Sequence, residues 1–347
     1  MFFWIFFIII SLICFGPFNV GGIRYKKLSY IVGCSFITIV TILRFDVGFD
    51  YPEYFNMVYP YLDIIQYNRM EPANKILLEL TANSQYPPLL FIVYGIITFI
   101  LFFYSFKNYS NNYCLAILTY LTFFYLGGLS TIRQEIAVSL ILWGYRFIRD
   151  DNRIMYLVMC ILALLFHDTA FVAILTYPFL RIKNIKISII VAISAIILLG
   201  GVVELLLTLP SLSHLYHYLE DANTFQGGNL IRIIYLLISL FSLISAIRNN
   251  NIVLVNMSLL CLIGTSMMFV LGGHIGGRIA EYFTIYLCLL IPNIVTNYYK
   301  KYILNVALIL SILFISNVYI STTNPIKSPF TPYQSILTLD LNKLQFK

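Results

Sequence analysis

Twelve apolar runs divide this chain, and their lengths constrain its fold more than any other feature. They cover approximately residues 2–16, 28–44, 87–106, 113–130, 132–148, 153–166, 168–181, 187–207, 229–247, 252–271, 279–297 and 302–320. A membrane-crossing helix needs roughly 17–25 largely apolar residues, with allowance for tilt. Of the 347 residues, 60% are hydrophobic and only 11% charged. Soluble chains are about a quarter charged, so too little polar material is present to cover a water-facing surface. The expectation is an all-α, polytopic membrane protein of about twelve helices. Residues 1–320 would form one transmembrane domain and 321–347 an outer tail. The first run lacks the basic start and small-residue cleavage site of a signal peptide and is kept as a span. The six cysteines lie in apolar runs without metal-ligand spacing, which points to packing.

Loop charges orient the chain. With the N-terminus outside, the inner loops hold Arg24, Lys26, Lys27, Lys107, Arg146, Arg149, Arg153, Arg181, Lys183, Lys186, Arg248, Lys300 and Lys301, against only Asp150 and Asp151. Every inner loop is then basic, as the positive-inside rule requires. Both termini are expected outside. The net charge of +7 follows from these loops and carries no implication of nucleic acid. Three stretches remain outside: 45–86, where Pro72 and Pro87-Pro88 bound short interfacial helices; 208–228; and the proline-rich tail.

The same topology sorts the unusual polar residues onto one side. Arg44, Asp46, Asp50, Arg133, Gln134, Glu135, His167, Asp168, Arg232, Arg278 and Glu281 all fall at or just beyond outer ends of spans. Ionisable groups at membrane depth are costly and face a protein interior or a watery cavity. Arg133, Arg232 and Arg278 also lie in the first turn of helices running inward. A cation opposes the helix N-terminal partial charge there, by roughly 0.3–1 kcal/mol, and a bound anion resolves the conflict. The guanidinium fork suits phosphate. The plainer alternative pairs Arg133 with Glu135 or another acid, and Arg278 with Glu281. Arg44 ends an outward helix, where a cation is already favourable.

Gln134 fits a capping box begun by Thr131. His167 sits between two short arms with Arg153 and Arg181 at their far ends, so the chain turns there. Arms of about 14 residues reach only roughly 21 Å, which puts the turn in a recess. Asp168 can cap the second arm. A recessed histidine serves as base, acid or phosphate donor, or as a hydrogen-bonded turn residue. His214 and His217, at i, i+3, are a weak metal signal.

The stretch Arg44-Phe-Asp46-Val-Gly48-Phe-Asp50-Tyr51-Pro-Glu-Tyr54 resembles the signature of the EpsG-type exopolysaccharide polymerases, relatives of the Wzy O-antigen polymerases. Phe49 stands where that pattern has a small residue. Ser130-Thr-Ile-Arg133-Gln134-Glu-Ile-Ala137 is similar to the family's arginine–glutamine motif. Leu165-Phe166-His167 and Gly277-Arg278-Ile-Ala-Glu281-Tyr282-Phe283 continue the likeness, over roughly residues 25–300. The tail after about 320 carries none.

The resemblance implies a GT-C-like glycosyltransferase in a bacterial cytoplasmic membrane, active at its periplasmic or extracellular face. It would join undecaprenyl-diphosphate-linked oligosaccharides, donor to acceptor, with diphosphate as leaving group. Membrane lipids, a chain-length regulator and a flippase would be its neighbours. Arg133, Arg278 and Arg44 would hold the diphosphate, so no metal or cofactor is required. Asp50, with Asp46 and His167 as rivals, would activate the acceptor hydroxyl. Arg232, Gln134, Glu135, Tyr51, Tyr54 and Glu281 would contact substrate. A flippase for the same lipid is the main rival reading, but polar residues would then spread through the midplane. A membrane acyltransferase using His167 would leave the arginines unexplained.

Overall fold

The computed structural model describes residues 1–15, 23–58, 67, 70–84, 86–208, 228–323 and 328–338. His214, His217 and most of the 208–228 loop lie outside the described residues.

Each expected run is helical. In chain order the helices are α1 (Phe2–Phe15), α2 (Ile23–Ile42), α3 (Tyr51–Val58), α4 (Pro72–Asn83), α5 (Pro88–Tyr109), α6 (Tyr113–Ser130), α7 (Ile132–Arg149), α8 (Arg153–Leu164), α9 (Asp168–Leu180), α10 (Ile185–Thr208), α11 (Gly228–Arg248), α12 (Ile252–Val270), α13 (Gly277–Tyr298) and α14 (Ile303–Thr322). Among the described helices, α5, α6, α11, α12, α13 and a stretch through α14 are long and apolar enough to cross a membrane. α1, α8 and α9 are shorter apolar helices, as are the stretches Lys27–Ile42 of α2 and Ile185–Leu199 of α10, and α7 carries Arg133, Glu135, Arg146 and Arg149 at its two ends. The chain is an all-α, multi-pass membrane protein.

Burial separates interior from periphery. The apolar stretches of α6, α12 and α13 are 78% buried, against 33% for α11 and 28% around α14. Helices apolar on every side suit either a core or lipid, and this contrast assigns the first three to the core. Proline placement follows backbone chemistry: Pro72 and Pro88 open α4 and α5, where the missing N–H is no loss. These are the helix boundaries that the sequence marks in and after the 45–86 loop.

α9 departs from a regular α-helix. Residues Asp168–Leu175 form a 3₁₀ helix and only Thr176–Leu180 is α-helical. The larger rise of a 3₁₀ helix, about 2.0 Å per residue, lengthens an arm of few residues. At its far end Arg181 bridges Asp151 at 2.7 Å. A hydrogen bond from Tyr177 and the Arg181 charge hold the Asp151 carboxyl below its usual range.

The described stretch of the tail, residues 328–338, is held to the helices. β2 (Gln334–Ser335) pairs antiparallel with β1 (Arg44–Phe45), Arg44 opposite Ser335. The Gly48 N–H donates to the Pro329 carbonyl at 2.7 Å, and Ile336 N–H to the Leu43 carbonyl at 2.9 Å. Trp4 Nε1 donates to the Phe330 carbonyl at 2.7 Å. Tyr333 stacks on Phe3 with centroids 3.8 Å apart, and its hydroxyl donates to the Val40 carbonyl at 2.8 Å. Residues 328–336 thus strap the start of α1 to the segment that leaves α2.

Candidate functional site

A polar cavity of about 160 Å³ opens where four parts of the chain meet, lined by Asp50, Glu53, Tyr54, Thr131, Arg133, Gln134, His167 and Arg278. Five of these, Asp50, Arg133, Gln134, His167 and Arg278, belong to the polar set that the loop charges placed on one side.

Asp50 arrives on a tightly held loop. Arg44 is 2% exposed and spends its guanidinium on backbone: Nη1 donates to Thr41 O at 2.8 Å, Nε to Val47 O at 3.1 Å and Nη2 to Leu129 O at 3.1 Å. Gly48 has φ +119°, and a Cβ there would lie 2.6 Å from the Leu129 carbonyl. Only glycine allows that approach. The next N–H, of Phe49, donates to Ser130 Oγ at 2.9 Å. The loop is pressed onto the turn before α7, and Asp50 follows at the start of α3. Arg44 and Asp46 do not line the cavity. Arg44's three carbonyl partners come from the end of α2, the loop that follows and the end of α6, and buried backbone carbonyls need such donors.

Arg133, second residue of α7, points between two loop elements. Its Nη1 lies 2.8 Å from Glu71 Oε2, its Nε donates to Tyr54 Oη at 3.3 Å, and its Cζ is 5.7 Å from the Tyr54 ring centroid. The acid that meets Arg133 is therefore Glu71, from the 45–86 loop, and not Glu135. Glu135 is 3% exposed and accepts from the Tyr120 hydroxyl at 2.8 Å. It faces a separate water-sized space of about 20 Å³ shared with Arg44, outside the polar cavity.

Gln134 does not close a capping box. Thr131 makes no side-chain cap bond and its hydroxyl turns back to the Gly127 carbonyl at 3.2 Å. Gln134 Nε2 donates instead to the Arg278 carbonyl at 3.0 Å and to Glu281 Oε2. Its Oε1 is buried with no partner among the described residues. Glu281 is thereby engaged with Gln134, and among the described residues no acid forms a salt bridge with Arg278. Arg278 also sits deeper in its helix than expected. A π-helical turn, Gly272–Gly276, leads straight into α13, so Arg278 lies in the second turn.

His167, 8% exposed, is itself the cap of α9. The Thr169 N–H, which can only donate, reaches His167 Nδ1 at 3.4 Å, with the Thr169 hydroxyl 2.7 Å away. A neutral ring then carries its proton on Nε2. Asp168, expected to cap, is an exposed first residue of the 3₁₀ turn.

Two further residues expected to contact substrate are absent from the cavity lining. Tyr51 is fully buried and stacks on Phe91 at 4.0 Å, away from the cavity lining. Arg232 is buried on α11 and is also absent from the lining. Conversely, Glu53, Glu71 and Thr131 were missed. Glu53 and Glu71 sit in a loop so rich in charge that neither stands out, and Thr131 reads as a cap.

Two arginines, two carboxylates and a histidine around one small cavity can bind a polyanion and move a proton beside it. Comparison with curated proteins and with solved structures gives no match. The model of the EpsG family matches residues 27–335, which takes in the tail strand that the sequence motifs left out. With nearly its whole length matched, the chain belongs to the EpsG family of polysaccharide polymerases, which are glycosyltransferases.

Proposed function

We propose that this protein joins undecaprenyl-diphosphate-linked oligosaccharide repeat units at the outer face of a bacterial cytoplasmic membrane, crossing it twelve times with both ends outside. The observation that carries this reading is the cavity in which Arg133 and Arg278 face Asp50 and His167. The donor diphosphate lies against the two guanidiniums, where bidentate hydrogen bonding favours phosphate oxygens. The Asp50 carboxylate takes the proton of an acceptor sugar hydroxyl. That oxygen bonds the anomeric carbon of the donor glycan, whose bond to the diphosphate oxygen breaks. The leaving diphosphate takes the bonding pair, and its new charge meets the arginines and the Nε2–H of His167. Charge that develops only at bond breaking, met by fixed donors, is what lowers a barrier.

The test is polymerisation by the purified full-length protein on a lipid-linked repeat unit. A glycan ladder with one undecaprenyl diphosphate released per new bond is the expected result. Transfer of the lipid across the bilayer with no new glycosidic bond would overturn the proposal in favour of a flippase.

A further inference from the structure

Glu71 does not line the cavity, yet it holds one of the cavity's two arginines. It is 7% exposed while Arg133 is 25% exposed, so the pair is reached from the arginine's side. Glu71 is itself anchored. Asn74 Nδ2 donates to Glu71 Oε2 at 2.8 Å and to the Phe166 carbonyl at 2.7 Å. Asn74 Oδ1 accepts from the Tyr94 hydroxyl at 2.5 Å, and Ala73 N–H donates to the Leu165 carbonyl at 3.0 Å. The start of α4 is thus pinned to α5 and to the turn that carries His167. These bonds hold Glu71 in place when an anion in the cavity draws on Arg133 and repels the carboxylate.

Arg133 has five N–H groups. One on Nη1 is engaged by Glu71 and the one on Nε by Tyr54, and three remain on a residue that lines the cavity. We propose that Glu71 is a positioning residue that sets how tightly the cavity holds a diphosphate, by aiming Arg133 and offsetting part of its charge. The inference rests on the diphosphate reading above. Donor and released carrier both bear a diphosphate, the carrier's with one more charge, so an arginine without this counterweight would hold both too well, the carrier most of all, and slow turnover.

The probe is undecaprenyl diphosphate, titrated onto the full-length protein in nanodiscs. Glu71→Gln keeps size and hydrogen bonding but removes charge. It should bind the carrier about tenfold tighter, the size of one charge-assisted contact, with both KM for donor and kcat lowered. Glu71→Ala also frees the guanidinium and should bind more weakly than Glu71→Gln. Equal or weaker binding by Glu71→Gln than by wild type would overturn the inference, as would Glu71→Ala matching Glu71→Gln. A purely structural role would lower protein yield without this split. Arg133→Ala that binds carrier like wild type would instead remove the diphosphate reading itself.

Discussion

Gln134 and Arg278 are 144 positions apart in the chain and joined by a hydrogen bond of 3.0 Å from the Gln134 side-chain amide to the Arg278 carbonyl. The same amide holds Glu281. The bond ties the start of α7, which carries Arg133, to the start of α13, which carries Arg278. Two cations that share one cavity repel each other, and a neutral amide between their backbones keeps them at a fixed spacing.

Gln134→Leu removes the donor and leaves the Arg278 carbonyl and a Glu281 oxygen without it. A buried polar group left unpaired costs about 1–3 kcal/mol, so thermal unfolding in detergent should occur at clearly lower temperature. Polymer synthesis should fall further than protein abundance, because Arg278 loses its register against Arg133. A variant as stable and active as wild type would contradict the cross-link.

Tyr333 tests the strap. Tyr333→Phe loses only the hydrogen bond to Val40, about 1 kcal/mol. Tyr333→Ala also loses the stack on Phe3, about 0.5–1.5 kcal/mol more. Stability should fall in that order, measured by thermal unfolding. Chain extension should fall with it, since Gly48, two residues before Asp50, is tied to the strap through Pro329.

Orientation has a direct assay. A reporter active only outside the cytoplasm should work when fused after Ser84, in the loop between α4 and α5, and fail after Arg149. The reverse pattern would put the cavity on the cytoplasmic side.

Asp50 and His167 separate by single-turnover kinetics with bound lipid-linked donor. Asp50→Asn should bind donor and extend it about 10²–10⁴-fold more slowly, the range for one assisted proton transfer. His167→Gln, which keeps a donor near the Nε2 position, should lose less. Near wild-type extension by Asp50→Asn would reassign the base.

How much of this was legible beforehand depends on whether each signal is local. Charges at the ends of apolar runs are local, so Arg133, His167, Arg278 and Asp50 could be singled out, and all four line the cavity. The role of a side chain whose partner is remote could not be read. Gln134 fits a capping box within four residues, but its partners come from α13. Arg44 reads as a charge at the end of an apolar run, and nothing in the sequence shows that its guanidinium meets three backbone carbonyls. Glu71 is one acid in a charged loop, and only the fold brings it to Arg133. The tail shows no motif because its contribution is made largely through backbone carbonyls and N–H groups, which any sequence supplies.

The central claim is that Arg133 and Arg278 stabilise a leaving diphosphate. Its most direct measurement is the glycan ladder made from a purified lipid-linked repeat unit by wild type, Arg133→Ala, Arg278→Ala and the two Arg→Lys variants, each at matched protein amount. The alanine variants should make no ladder, and the lysine variants little, because a single ammonium cannot reproduce the bidentate fork. A wild-type ladder from either alanine variant would contradict the claim.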